Sequence, residues 1–257
     1  MILTMDVGNS QIFGGIFDGD KLKFRFRKAT KDNFTSDELG VFLKGLLREN
    51  EIDSKAISQV ALCSVVPDVV HSIRNCCLKY FFIDPFILGP GVKTGLNILY
   101  KNPQEVGSDR IANAVAATNM FPGENLIIID FGTANTFCVV SKNKEYMGGI
   151  ILPGLKISLD ALSSKTAKLP TVEIVKCKEL VARSTSESIQ SGLYFGNLAI
   201  LNYLTEKIKR EYFQGQPVKV IGTGGMARLF EDEMIFDETI PDLVLIGLNI
   251  SLLINNL

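Results

Sequence analysis

Histidine is almost absent from this 257-residue sequence: His71 stands alone. Without a ligand-spaced partner it reads as an ordinary helix residue, and histidine-based acid–base chemistry has little to work with. The five cysteines include the adjacent Cys76 and Cys77 but no Cys-x-x-Cys pair, which argues against a zinc site. An odd, unpatterned set of thiols suits the reduced cytoplasm better than a secreted disulfide framework. Basic excess is lacking too. The 27 lysines and arginines face 28 aspartates and glutamates, for a net charge of −1, and this excludes a broad nucleic-acid footprint. The most apolar tract, 243–254, falls short of the about 20 residues of a membrane span and contains Asn249 and Ser251. It reads as a buried helix. Asp6 interrupts the N-terminal apolar stretch too early for a signal peptide. The expectation is a cytoplasmic globular protein of one large or two medium domains, 46% hydrophobic and 21% charged.

What is present is organised around Met5-Asp6-Val7-Gly8-Asn9-Ser10, which follows the apolar run 1–4 and precedes the apolar return 14–17. An Asp and a Gly at a tight turn between strands suit phosphate handling. The turn offers backbone N–H groups, and the carboxylate can hold a hydrated metal. The pattern returns at 126–134, where an apolar strand is followed by Asp130-Phe131-Gly132-Thr133-Ala134. Phe13 and Phe137 fall at the same offset after the two aspartates, and 138–140 repeats the return strand. Two such units predict an internal duplication, with halves at 1–122 and 123–257. Facing one another, they would form a cleft with an acidic turn on each wall, an arrangement similar to that of the actin-like ATPases and sugar kinases.

Between the turns, residues 21–27 alternate with a period of two, which predicts a half-exposed strand whose Lys23, Arg25 and Arg27 form a solvated face. A helix is expected to start at 35–38, a strand to cover 59–67, a helix 68–79 and a further strand 81–88. The glycine-rich loop 89–95 lacks P-loop spacing. The polar segment 100–110 runs into a strongly helical stretch with Ser108 as the candidate N-cap. Asp109 and Arg110 then fall in the first turn, where helix amides and dipole favour an anion. Arg110 offers a fork for a substrate carboxylate, whereas Asp109 reads either as part of a site or as support for the helix start. In the second half, Gly148-Gly149 and Pro153-Gly154 flank a strand and predict close backbone approach. Ser184-Thr185-Ser186-Glu187 opens a long helix, with Thr185 reading as a plain cap or as a ligand. The run 218–227 is strand, glycine turn and helix.

Together these segments resemble the type III pantothenate kinases. The resemblance rests on Asp6 to Ser10, Ser64-Val65-Val66-Pro67, Asn102 to Arg110, Asp130 to Ala134, Gly148 to Gly154, Ser158 to Leu162 with Thr166 to Pro170, and Gly222-Thr223-Gly224-Gly225. They occur in the family's order over nearly the whole chain. Two departures are visible: Ser10 stands where threonine is frequent, and Ser184 where asparagine is usual.

The resemblance implies an α/β fold of duplicated actin-like (ribonuclease H-like) domains, mixed sheets flanked by helices, with an interdomain cleft. It implies ATP-dependent phosphorylation of pantothenate to 4′-phosphopantothenate, the first step of coenzyme A biosynthesis. Asp109 is then the general base. Asp6, Val7, Gly8, Asn9, Ser10, Gln11, Ile12 and Phe13 cradle the ATP phosphates, and Thr133 also meets ATP. Tyr100, Gly107, Ser108, Asp109, Arg110 and Thr185 hold pantothenate. Mg²⁺ accompanies ATP, and Asp130 is the ligand of a monovalent cation, potassium or ammonium. The Gly222–Gly225 turn would lie against adenosine. A homodimer is implied, with Thr185 presented from either subunit, and neither nucleic acid nor membrane is a partner. Two rivals are a different enzyme of the same superfamily, which would lack the 107–110 element, and a nucleotide-binding regulator, which would have no chemical need for Asp109.

Overall fold

The computed structural model describes residues 1–30 and 34–256. The chain divides into two compact units. The first comprises Met1–Leu96, Tyr100–Asn119 and Leu243–Leu257, and the second Asn97–Leu99 and Met120–Asp242.

In the first unit, β1 (Ile2–Val7), β2 (Gln11–Asp18) and β3 (Lys21–Ala29) form an antiparallel meander. Residues 2–5 of β1 are all buried, as expected of a central strand. Helix α1 (Ser36–Glu49) starts in a capping box, with Thr35 and Glu38 exchanging side-chain and backbone bonds. Strand β4 (Gln59–Ser64) then returns parallel to β1, and α2 (Pro67–Phe81) begins with proline at a position where no N–H is needed. Val69, Ile73, Cys76, Cys77 and Phe81 keep one face of α2 in the core. That spacing is why Phe81 belongs to the helix and not to a strand over 81–88. Only β5 (Phe86–Ile87) of that run pairs, after Phe82 has turned the chain in the left-handed region. The sheet order is β3-β2-β1-β4-β5. Helix α3 (Ser108–Met120) follows.

The second unit repeats this plan. After β6 (Asn97–Ile98) come β7 (Asn125–Phe131), β8 (Ala134–Val140) and β9 (Glu145–Pro153), again an antiparallel meander. Helices α4 (Leu155–Lys165) and α5 (Thr185–Phe213) precede β10 (Val218–Gly224), which returns parallel to β7. A 3-10 helix at Ala227–Glu233 and β11 (Glu238–Thr239) complete it. The sheet order β11-β10-β7-β8-β9-β6 matches the first sheet with one strand added. Tyr194 of α5, only 1% exposed, stacks on Phe230 and donates to Glu233 at 2.5 Å.

The last helix, α6 (Leu243–Asn255), lies in the first unit and packs on β1, β4 and β2. The expected second half, 123–257, therefore gives its final helix to the first, because the apolar residues of α6 cover that sheet. Asn249 donates to the Gly19 carbonyl at 3.1 Å, and Asn255 bonds both backbone groups of Lys93. Gly247 crosses α3 so closely that a Cβ there would overlap the Ala112 carbonyl.

Candidate active site

In the first unit the hairpin register places Asp6 opposite Phe13 on β2 and Cys63 on β4, and Phe13 opposite Arg27 on β3. Directly paired residues share a face of a sheet. Cys63, Asp6, Phe13 and Arg27 thus form one row across four strands. The Cys63 thiol donates to Asp6 Oδ1 at 3.3 Å, and the Arg27 guanidinium lies 4.1 Å over the Phe13 ring. The turn between β1 and β2 is closed by Gly8 N–H on the Gln11 carbonyl at 3.1 Å. Thr30, just past the end of β3, clamps it: its hydroxyl donates to the Gly8 carbonyl at 2.8 Å and its N–H to that of Ser10 at 3.1 Å. Asn9, Ser10 and Gln11 are exposed at the tip. Val7 and Ile12 are fully buried in the first core, so only their backbone groups are available to a ligand.

The start of α3 reaches the same place. Gly107, not Ser108, caps the helix, since its carbonyl accepts the first helical bond, from Ile111. Ser108 is the first helical residue, and its hydroxyl donates to the Ser64 carbonyl at 3.3 Å, tying α3 to the end of β4. A Cβ on Gly107 would lie 2.5 Å from Asp109 Oδ1, so only glycine leaves room for the carboxylate to fold back. That oxygen accepts the Arg110 N–H at 2.8 Å. Burial first, then Asp6 and then Asp109, push the Cys63 thiol well above its ordinary range. The thiol is thus neutral, bonded to the Asp6 carboxylate. Arg110 is buried and Tyr100 half-buried.

In the second unit Asp130 pairs with Thr136 on β8 and Thr223 on β10. Phe137 faces Ile129, one residue out of step with Phe13 opposite Asp6, because the second hairpin loop is one residue shorter. The equal offset in sequence therefore does not give an equal position. Gly132 N–H donates to the Ala134 carbonyl at 3.2 Å, leaving Gly132 and Thr133 exposed. Two glycines clasp this turn. Gly224, at φ +87°, is so close that a Cβ would overlap Asp130 Oδ1, and one on Gly154 would overlap the Thr133 carbonyl. Gly225 N–H donates to the Phe131 carbonyl at 3.0 Å and Gly154 N–H to that of Thr133 at 3.1 Å.

At α5 the cap is Ser184, whose hydroxyl accepts the Glu187 N–H at 3.3 Å. Thr185 is the first helical residue, exposed and not the cap.

Among the described residues no three His, Cys, Asp or Glu side chains are grouped to hold a metal. The donor set at each turn is one carboxylate with backbone oxygens nearby, which suits a hard cation that also takes ligand oxygens and water. Cys63 and Arg27 escaped the sequence reading as site residues. The alternation of 21–27 pointed only to pleat and exposure and the apolar run 59–67 only to a strand, and nothing but cross-strand register brings Arg27 and Cys63 to the row of Asp6.

The profile of a family described as Type III pantothenate kinase matches residues 2–207. A Legionella pneumophila (strain Corby) protein named Type III pantothenate kinase is 56% identical over 255 residues, covering 99% of each chain. One of the same name from Elusimicrobium minutum is 52% identical, covering 98% of each. Among solved structures, the activator of 2-hydroxyisocaproyl-CoA dehydratase from Clostridium difficile, with bound ADPNP, matches 99% of this chain and 93% of its own at a TM-score of 0.53 and 14% identity. At that identity the match shows the fold alone, that of the actin-like ATPases and sugar kinases.

Proposed function

The chain belongs to the type III pantothenate kinase family, and from that premise we propose that it transfers the γ-phosphoryl group of ATP to pantothenate with Asp109 as general base. It is a phosphotransferase, and its family supports phosphorylation of pantothenate in coenzyme A biosynthesis. The observation that carries the finer reading is that the Ser108–Ser64 bond seats the start of α3, with Asp109, at the end of β4, where Cys63 bonds Asp6. A phosphate-facing turn and a carboxylate for the substrate hydroxyl come from different segments to the end of one strand.

In this reading the backbone amides of the Asp6–Phe13 turn hold the phosphates, with Asn9, Ser10 and Gln11 at its open tip. Asp109 takes the proton of the primary hydroxyl as its oxygen bonds to the γ-phosphorus. The bond to the bridging oxygen breaks, and ADP leaves. Arg110 pairs with the pantothenate carboxylate, beside Tyr100, Gly107 and Ser108. Mg²⁺, beside Asp6, and a potassium or ammonium ion, on Asp130, neutralise phosphate charge when bound. Thr133 contacts ATP, and Thr185, free of capping duty, contacts pantothenate.

The homodimer is supported by α5, where Ser188, Gly192 and Gly196 line a groove of about 520 Å³ with the exposed Leu180 and Val181. Small residues at that spacing allow another helix to approach. The reading is of a soluble cytoplasmic enzyme, and among the described residues no helix is long and apolar enough to cross a membrane.

The test is coupled ADP release from Mg-ATP and pantothenate, with and without potassium or ammonium. Release requiring both pantothenate and the cation is expected. Release independent of pantothenate points to another acceptor, and bound nucleotide without release points to a regulator.

A further inference from the structure

We propose that Thr30 is a positioning residue for the ATP phosphates, acting through the backbone of the Asp6–Phe13 turn, a role that rests on reading that turn as the phosphate turn. Thr30 stands just past the end of β3 and is half-buried, while Asn9, Ser10 and Gln11 at the tip of the turn are exposed. One residue holds two carbonyls of the turn. Its hydroxyl donates to that of Gly8 at 2.8 Å and its N–H to that of Ser10 at 3.1 Å. In a trans peptide unit the C=O and the N–H of the next residue point in opposite directions. With the Gly8 and Ser10 carbonyls drawn to Thr30, the N–H groups of Asn9 and Gln11 are turned away from it. A phosphate takes N–H donors and is repelled by carbonyl oxygens. Holding both carbonyls on one side therefore keeps the turn in the orientation that presents amides to an anion.

The second unit treats its turn alike. The carbonyls of Phe131 and Thr133, also two residues apart, accept the N–H groups of Gly225 and Gly154 at 3.0 and 3.1 Å. Both of those donors belong to the backbone. In the first unit the N–H bond from Thr30 continues the β2–β3 pairing beyond Gln11 and Ala29, and any residue except proline would make it. The hydroxyl bond to Gly8 needs threonine or serine. The orientation of the first turn thus depends on one hydroxyl, which a substitution can remove while the strand pairing stays.

The experiment compares wild-type protein with Thr30→Val, which keeps the shape and loses the hydroxyl, and with Thr30→Ala as a second variant without it. Thr30→Ser keeps the hydroxyl, and Thr35→Val removes the one that caps α1. Calorimetric affinity for Mg-ATP and for adenosine is read with kcat, the KM of each substrate and the thermal midpoint. Thr30→Val and Thr30→Ala are expected to weaken Mg-ATP binding and raise its KM about three- to tenfold, the worth of one hydroxyl–carbonyl bond. Their kcat, adenosine affinity and pantothenate KM should stay within about twofold. Thr30→Ser should bind Mg-ATP within about twofold of wild type. Thr35→Val should lower the midpoint and leave the Mg-ATP KM in place. In the wild type, Mg-ATP and not adenosine should shift the Asn9 and Gln11 amide resonances, a reading that depends on no variant. Wild-type Mg-ATP affinity in Thr30→Val, an equal loss for adenosine, failure of serine to rescue, or an equal rise of KM in Thr35→Val overturns this inference alone. Amides that Mg-ATP leaves unmoved, or a wild type that binds no Mg-ATP, overturn it together with the reading of the turn.

Discussion

The two sheets follow one plan, β3-β2-β1-β4-β5 and β9-β8-β7-β10-β11, yet the ends of their matched hairpins are built differently. In the first unit the aspartate row runs thiol, carboxylate, ring and guanidinium, and the helix that follows opens with Asp109 and Arg110. In the second the row is threonine, carboxylate, threonine and isoleucine. The first turn is clamped by a side chain, Thr30, whereas the second is clasped by the backbones of Gly154 and Gly224. Duplication has kept the strand order and the aspartate. Charged side chains have gathered in one copy and close backbone packing in the other. In the proposed reading the first copy supplies the base and the phosphate contacts, and the second supplies a cation site.

The largest expected effect tests whether chemistry sits in the first copy. Asp109→Asn should lower the rate of transfer by about 10²–10⁴, the usual worth of a positioned base, while calorimetry finds Mg-ATP binding retained. Full activity would remove Asp109 from that role. Next, Asp130→Ala should weaken activation by potassium or ammonium about tenfold. Activation curves unchanged for both ions would leave the second carboxylate without its assigned function.

The contrast between clamps is sharpened by two alanines, one in the second turn and one in the strand end that clasps it. Gly224→Ala must adopt a left-handed φ and displace Asp130, and should cost about 2–3 kcal/mol in urea unfolding. Gly132→Ala meets nothing closer than 3.5 Å and should stay within about 1 kcal/mol of wild type. Equal losses would erase the distinction.

The smallest effect concerns acid. Hydrogen bonding from Tyr194, then Lys176, holds the Glu233 carboxyl below its ordinary 4.5, and in the first unit Lys79, then Tyr80, hold Asp37 below 3.8. A lowered carboxyl stabilises the fold above its unfolded value and loses that contribution as pH falls through the folded one. The thermal midpoint should therefore decline below about pH 4.5. Tyr194→Phe should reduce that decline, while Tyr80→Phe should change it less, since Lys79 is the larger influence on Asp37.

The strand–Asp–Gly–strand units, the capped helices and the Gly107–Arg110 element were legible because each is a local pattern of polarity and turn chemistry. Register was not. Nothing in the alternation of β2 and β8 tells that one loop is a residue longer, so Phe13 and Phe137 look equivalent and are not. Cys63 and Arg27 were hidden for the same reason, since a row across four strands joins residues as far apart as 6 and 63. The run 81–88 misled because a helix ending in Phe81 and a two-residue strand share one apolar composition. At α5, Ser184 and Thr185 are both competent caps, and only the geometry chooses Ser184.

The seat of α6 makes completion of the first unit wait for residues made after the whole of the second. Its contact with α3, Gly247 against the Ala112 carbonyl, joins segments separated by roughly 120 residues. At ribosomal rates that interval lasts roughly 6–25 s. Throughout it β1 and β4 lack the packing that α6 supplies, while the second unit is already emerging whole. The half that carries Asp109 is thus the half that finishes last, and a nascent chain cut short anywhere before Leu243 leaves no protein with that half complete.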